Sequence, residues 1–249
     1  MPEKFIILAQ ERTGSIWLQR LLDSHPEIEC VGELFNNSAQ VRQTIRKVAR
    51  PIADNEPPVP YLNEFVYKAY PAPVQAVGFR LFYEHGWHRT WMPLWHYLRD
   101  EGVKIIHLQR RNLLDRYLSF QLAMRSNIWI KLKDAPDNHN APIVLDPQDC
   151  FNNIKYSEQL RAERAEFFSN NLVLNVAYED LQADFDGETA VIQQFLGVSP
   201  QALTAKTKKQ TTKQKRELIA NYDELRDLVK NNQGLGGYPA HWMAFFDDE

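Results

Sequence analysis

The chain has 249 residues, of which 44% are hydrophobic, and its 29 basic and 32 acidic residues give a formal net charge of −3 at pH 7. This balance excludes a bulk polycation, so neither nucleic acid nor an anionic membrane surface is an expected partner. The length is sufficient for a sizeable core, and we predict one α/β domain covering residues 1–249.

Strands and helices are predicted to alternate along the chain, because short apolar runs rich in β-branched residues are separated by stretches with helical periodicity. In chain order they are strand 4–9, helix 16–25, strand 29–33, helix 38–50, a proline-rich loop 51–60, strand 74–81, helix 87–99, strand 103–110, helix 113–133, loop 134–147, helix 149–169 and strand 172–178, followed by a mainly helical remainder. This alternation predicts a P-loop-like fold with a central, mostly parallel sheet flanked by helices on both faces.

The sequence also indicates in which cellular compartment the protein works and whether it associates with a membrane. Cys30 and Cys150 are too few for a disulfide framework or a cysteine-based zinc site, which is typical of a reducing compartment. The N-terminal apolar run is shorter than a signal-peptide core, and no uncharged apolar stretch reaches the ~20 residues of a membrane span. We therefore expect a soluble, cytoplasmic protein without a membrane span.

A loop after the first strand, Glu-Arg-Thr-Gly-Ser-Ile-Trp at residues 11–17, is suited to an anion. A strand that leads through small residues into a helix directs backbone N–H groups and the positive end of the helix dipole to one place. Arg12 adds a permanent cation with several donors. The loop lacks the Gly-Lys-Ser/Thr ending of an ATP-binding loop and the glycines of a dinucleotide site. An ordinary strand–helix turn with a surface arginine is the alternative interpretation.

Three later segments also suit an anionic nucleotide, although each has an ordinary structural explanation. Arg111 ends the fourth strand and Ser119 lies about two turns into the next helix, so the pair is placed to hold a second phosphate. Tyr178 ends the last strand, at the edge where ligands of open parallel sheets bind, and can stack on a base. Residues 206–216 contain six basic residues and no acidic one.

Together these features resemble the sulfotransferase family, whose members use 3′-phosphoadenosine 5′-phosphosulfate (PAPS) as donor. Residues 11–17 resemble the family's 5′-phosphosulfate loop, and Arg111-Asn112-Leu113-Leu114-Asp115 with Ser119 resembles its 3′-phosphate motif, with Leu113 in place of proline. Tyr178-Glu179-Asp180 is similar to the motif whose tyrosine approaches the adenine. The likeness covers about residues 4–230 and is greatest to bacterial and glycan-type or tyrosylprotein-type members.

The resemblance implies PAPS as donor co-substrate, 3′-phosphoadenosine 5′-phosphate (PAP) as product, and no metal. The implied nucleotide-binding residues are Arg12, Thr13, Gly14, Ser15, Ile16, Trp17, Arg111, Ser119, Tyr178, Lys208 and Lys209. Two departures from the family pattern matter. Ile16 replaces a second hydroxyl of the loop, and no Arg-Lys-Gly triplet occurs near the C-terminus, which leaves the roles of Lys208 and Lys209 open.

The resemblance also supplies candidates for the catalytic base, with Arg12 as the catalytic cation. In the tyrosylprotein-type branch a glutamate after a His-Pro-Glu sequence deprotonates the acceptor, and Glu33, 21 positions after Arg12, matches that context. Cytosolic small-molecule members use a histidine after the third strand, for which His85 or His88 stands. We favour Glu33, and we expect His107, inside a buried strand, to be a core residue.

The implied reaction transfers a sulfuryl group from PAPS to a hydroxyl or amine of a glycan, lipid or small-molecule acceptor. The sequence names neither the acceptor nor the oligomeric state. Two other classes remain open at this point: a small-molecule kinase with a degenerate phosphate loop, and a non-catalytic protein that binds a phosphonucleotide.

Overall fold

The structure is a computed structural model that describes residues 1–36, 49–50, 52–85, 91–129, 141–205, 213–233 and 237–247. The chain divides into two compact units. Unit 1 consists of Met1–Gln109 and Leu160–Ala205, and unit 2 of Arg110–Gln159 and Lys206–Glu249. The single domain over residues 1–249 remains a prediction.

Unit 1 contains a five-stranded sheet. Its strands are β1 (Glu3–Ala9), β2 (Ile28–Glu33), β3 (Ala76–Phe82), β4 (Lys104–Gln109) and β5 (Val173–Ala177). They lie in the order β2-β3-β1-β4-β5, and every neighbouring pair is parallel. The predicted parallel sheet is therefore confirmed. Because parallel strands share their direction, the carboxyl ends of all five lie along one edge of the sheet.

Helices occupy most of the connections between strands. They are α1 (Ser15–Leu22), α2 (Pro58–Tyr61) with a π-helical continuation (Leu62–Val66), α3 (Met92–Asp100), α4 (Leu113–Ser126), α5 (Pro147–Phe167), α6 (Tyr178–Ala183), α7 (Phe185–Leu196), α8 (Lys215–Leu218), α9 (Tyr222–Asn231) and a 3₁₀ helix (Ala240–Phe246). Among the described residues, none of these helices is long and apolar enough to cross a membrane.

Several predicted boundaries are corrected by the structure. The predicted loop 51–60 contains the start of α2, whose first position is proline, a residue that the first turn of a helix accepts. Helix α4 ends at Ser126 rather than at residue 133, because Asn127 adopts a left-handed conformation with φ 55°. Tyr178 begins α6 instead of ending β5. The predicted helix 38–50 lies almost entirely outside the described residues.

The sheet is covered on both faces, and β1 shows why. Its side chains alternate between two apolar clusters: Ile6 and Leu8 belong to one, with residues of α2 and α3, while Phe5 and Ile7 belong to the other, with residues of α1 and α7. All four side chains are at most 1% exposed. A strand segment buried on both sides is apolar at every position, and β1 has this pattern from Phe5 to Ala9.

Unit 2 has an apolar cluster of its own. Leu114 and Leu118 of α4 pack with Leu225 of α9 and with Trp242 of the 3₁₀ helix. Each of these side chains is at most 5% exposed.

Candidate active site

The loop between β1 and α1 has an unusual backbone. Arg12 and Gly14 both have positive φ angles, 68° and 88°, and the α-helix begins immediately afterwards at Ser15. The hydroxyl of the buried Thr13 donates to the carbonyl oxygen of Gln10 at 2.8 Å and so holds the turn. Left-handed residues next to a helix N-terminus direct successive N–H groups into a concave site for anions.

Three aromatic rings lie beside this loop. The ring of Tyr178 is so close to Gly14 that a Cβ atom built on the glycine would lie 2.5 Å from the tyrosine Cδ2. Trp17 meets Tyr178 edge to face, with 6.0 Å between ring centroids, and stacks on Phe185 at 6.0 Å. These rings are only half-buried. The structure thus brings the loop at residues 11–17 and the Tyr178 motif together in unit 1.

Glu33, the predicted base, ends β2 and is 3% exposed. Its Oε2 lies 3.1 Å from Nη1 of Arg80, which is 2% exposed on the adjacent strand β3. The Glu33–Arg80 pair depends on a register shift between β2 and β3. Cys30 lies opposite Gly78, but Glu33, three residues later, lies opposite Arg80. Without the additional residue, a regular ladder would place Glu33 opposite the position after Arg80.

Arg80 also connects Glu33 with the loop helix. Its Nε donates to Oε1 of Gln19 at 2.6 Å, and its Nη1 lies 3.4 Å from the hydroxyl oxygen of Ser15. One buried guanidinium therefore joins the first turn of α1, the middle of α1 and the carboxylate at the end of β2.

The other oxygen of Glu33 faces two further groups. Asn36 donates from Nδ2 to Oε1, and Nε2 of His85 lies 3.4 Å from the same oxygen. His85 follows β3 and is held by the backbone N–H of Phe82, which donates to its Nδ1 at 3.1 Å. His85 is thus part of this site, whereas His88 lies outside the described residues.

Burial alone would raise the pKa of Glu33, but the charge of Arg80 and the hydrogen bonds from His85 and Asn36 lower it to about 2. The carboxylate is therefore ionised at neutral pH. Nearby, burial and the charge of Glu11 raise the pKa of Glu84, whose carboxylate accepts a hydrogen bond from Gln10 at 3.3 Å. Among the described residues, no group of three or more His, Cys, Asp or Glu side chains is arranged to hold a metal.

Unit 2 carries the second predicted phosphate motif. Arg111 is exposed and precedes Asn112, whose side chain caps α4 by accepting from the N–H of Asp115 at 3.0 Å. Ser119 lies half-buried within α4. The carboxylate of Asp115 has Nη2 of Arg110 at 3.6 Å and Nζ of Lys215 at 3.9 Å. Lys208 and Lys209 lie outside the described residues.

Arg80 was not predicted from the sequence to be part of the site. The available signal was a charged residue within the otherwise apolar run Ala76-Val77-Gly78-Phe79-Arg80-Leu81-Phe82, near the carboxyl end of a buried strand. Charged side chains are almost never fully buried unless they are paired, so such a residue requires a partner on a neighbouring element.

A family model for the sulfotransferase domain matches residues 2–235, and the chain therefore belongs to the sulfotransferase family of transferases. It is 29% identical to nodulation protein H of Rhizobium tropici over 99% of this chain and 94% of that protein. It is 26% identical to nodulation protein H of Rhizobium meliloti (strain 1021) over 90% of each. A sulfotransferase structure from Alicyclobacillus acidocaldarius superimposes with a TM-score of 0.51, at 15% identity over 93% of this chain and 92% of that one, and confirms the fold. Family membership favours sulfuryl transfer over the kinase alternative.

Proposed function

We propose that this enzyme transfers a sulfuryl group from PAPS to a hydroxyl or amine of a glycan, lipid or small-molecule acceptor. The observation that carries this proposal is the contact of one buried guanidinium, that of Arg80, with both the ionised Glu33 and Ser15 of the anion-binding loop. Arg80 thus connects a proton acceptor with an anion site. This arrangement suits a reaction in which an anionic group leaves while a proton is removed from the acceptor.

The loop holds the phosphosulfate in this proposal. The guanidinium of Arg12, the N–H groups of Thr13 to Ile16 and the hydroxyl of Ser15 neutralise the charge that develops on the leaving phosphate oxygen. Fixed donors of this kind need no reorganisation during the reaction, and the hydrogen bond of Thr13 to Gln10 keeps the loop in shape. Trp17 and Tyr178 flank the adenine.

The transfer step balances as follows. The bond between sulfur and the bridging phosphate oxygen breaks, a bond forms between sulfur and the acceptor oxygen or nitrogen, and the acceptor's proton passes to the carboxylate of Glu33. PAP leaves with the bonding electrons on its 5′-phosphate. The carboxylate is ionised at neutral pH and so has a lone pair for this proton, while its pKa of about 2 lies well below the operating pH at which a general base is strongest.

The 3′-phosphate of the donor is assigned to Arg111 and Ser119, with Lys208 and Lys209 as further cations. The exposed Arg111 beside the N-cap of α4 suits this assignment, because arginine binds phosphate with two parallel hydrogen bonds and a helix N-terminus adds N–H donors. We place the enzyme in the cytoplasm, since both of its cysteines are free and buried.

An acceptor screen tests the proposed function. The protein is incubated with PAPS that carries labelled sulfur and with panels of oligosaccharides, glycolipids and small phenols or amines. We expect one class to gain the label and, by mass spectrometry, one SO₃ unit. Stabilisation by PAP but not by ATP with magnesium, measured as a thermal shift, is expected at ligand concentrations above Kd. Stabilisation by ATP alone would contradict the proposal.

Arg111→Ala tests the assignment of the 3′-phosphate. Loss of a charged hydrogen-bonding group is expected to weaken PAP binding about tenfold or more, while adenosine 5′-phosphate, which lacks the 3′-phosphate, keeps its affinity. Isothermal titration calorimetry measures both. Arg125→Ala, at an exposed position of the same helix, is the matched control and should change neither affinity. Equal losses for the two nucleotides in Arg111→Ala would refute the assignment.

A further inference from the structure

The two oxygens of the Glu33 carboxylate have different surroundings. Oε1 is approached by two donors, Asn36 and His85, whereas Oε2 is paired with Arg80. The guanidinium nitrogen that contacts Oε2 also lies 3.4 Å from the Ser15 hydroxyl, so Oε2 is the oxygen linked to the anion-binding loop. A carboxylate oxygen can accept about two hydrogen bonds, and the contacts with Asn36 and His85 therefore fill Oε1.

The orientation of the His85 ring fixes its role. A backbone N–H can only donate, so Nδ1, which receives the N–H of Phe82 at 3.1 Å, carries a lone pair and no proton. In the neutral ring the proton is then on Nε2, which lies 3.4 Å from Oε1 of Glu33. This contact is longer than an ordinary N–H···O bond, as is common in active sites without substrate. With Nδ1 occupied and Nε2 protonated, His85 has no lone pair for an acceptor's proton.

We propose that His85 and Asn36 are positioning residues that hold Oε1 of Glu33, and that Oε2 is the atom that receives the proton of the acceptor. The inference rests on the proposed function and selects between the two bases that the sequence left open. The inference also locates the acceptor. The nucleophilic atom of the acceptor lies against Oε2, on the side of the carboxylate where Arg80 contacts Ser15.

The tautomer of His85 tests the first half of the proposal without any acceptor. The protein is labelled with ¹⁵N in its seven histidines, and the ring nitrogens are observed at pH 8 through long-range ¹H–¹⁵N correlations, with His85→Gln for assignment. We expect a protonated Nε2 and a bare Nδ1. A proton on Nδ1 would leave Nε2 free to act as a base and would overturn the proposal.

Kinetics test the second half. With PAPS and an acceptor found by the screen, His85→Gln is expected to lower kcat about tenfold, the effect of one lost hydrogen bond to a charged group, with KM for PAPS unchanged. Asn36→Ala should act in the same direction, and Glu33→Gln should lose far more. His96→Gln, an identical change at an exposed position of α3, is the control.

A loss in His85→Gln as large as that in Glu33→Gln would make His85 the base and overturn the proposal. Failure of the proposed function would be distinguishable, because the wild-type chain would then transfer no sulfuryl group to any acceptor. In that case the role of Oε2 in proton transfer fails as well, while the tautomer still decides how His85 is oriented.

Discussion

Two polar clusters lie on the sheet of unit 1, each formed around a pair of buried side chains, and each contains a histidine. The charged cluster consists of Glu33, Arg80, His85 and Asn36, at the ends of β2 and β3. The neutral cluster consists of Tyr83, His107, Gln109 and Asn175, in which the Tyr83 hydroxyl meets Nε2 of His107 at 2.7 Å and Gln109 contacts both His107 and Asn175.

The clusters differ in the charge state that their surroundings impose. Burial, with a smaller effect from Arg161, lowers the pKa of His107 to about 4, so this histidine is neutral at neutral pH. Arg80 overcomes the effect of burial on Glu33, and the carboxylate stays ionised. Burial favours the neutral form of a titratable group that has no counterion in contact. A buried group that stays charged therefore indicates that the fold has placed a counterion beside it.

Arg80→Met is expected to have the largest effect on stability. It leaves the carboxylate of Glu33 without its counterion, and breaking a buried ion pair from one side costs about 3–5 kcal/mol. Urea denaturation followed by circular dichroism measures the free energy of unfolding. The double variant Arg80→Met with Glu33→Leu should recover most of the loss, since a pair of apolar residues can replace a buried ion pair. No recovery would mean that Arg80 stabilises the fold through other contacts.

Glu33→Gln separates chemistry from structure. Without a proton acceptor, turnover is expected to fall about 10²-fold or more, while PAP still stabilises the protein in a thermal-shift assay. His107→Gln is the matched change in the neutral cluster and should leave turnover near that of the wild type. Near-normal turnover in Glu33→Gln would remove this residue from the mechanism and promote His85.

The pH dependence of stability should also distinguish the clusters. The folded pKa of His107 is about 4 against an ordinary 6.5, so the unfolded chain binds the proton first and stability falls as pH drops from 6.5 to 4. The folded pKa of Glu33 is about 2 against 4.5, so its contribution is lost between pH 4.5 and 2.

Urea midpoints measured over this pH range check the two windows. His107→Gln should flatten the curve only in the upper window and Glu33→Gln only in the lower one, each by about 3 kcal/mol. Exchanged windows, with Glu33→Gln acting above pH 4.5 or His107→Gln acting below pH 4, would contradict the charge states given above.

Tyr83→Phe is expected to have the smallest effect. It removes one hydrogen bond between neutral groups, which costs about 1 kcal/mol of stability, and it should not change turnover. Tyr97→Phe removes a hydroxyl that bonds Asn63 at the surface and should cost less. A large loss of activity in Tyr83→Phe would mean that the neutral cluster contributes to the reaction.

Local patterns in the sequence predicted the five strands, their parallel arrangement and the position of Glu33 at a strand end. They did not predict the partner of Glu33, because its contact with Arg80 depends on a register shift between strands that are distant in the chain. The extent of α4 was wrong for a related reason, since a single left-handed Asn127 ends a helix whose apolar periodicity continues. Periodicity reports which face of an element is buried, but pairing between elements requires the three-dimensional structure.

The contact between Gly14 and Tyr178 has a consequence for how this enzyme can evolve. The two residues belong to separate motifs, yet the tyrosine ring occupies the space that any side chain at position 14 would need. A substitution at position 14 therefore becomes acceptable only with a smaller residue at position 178, and the positive φ angle narrows the choice further. In descendants of this sequence the two positions should change together or not at all.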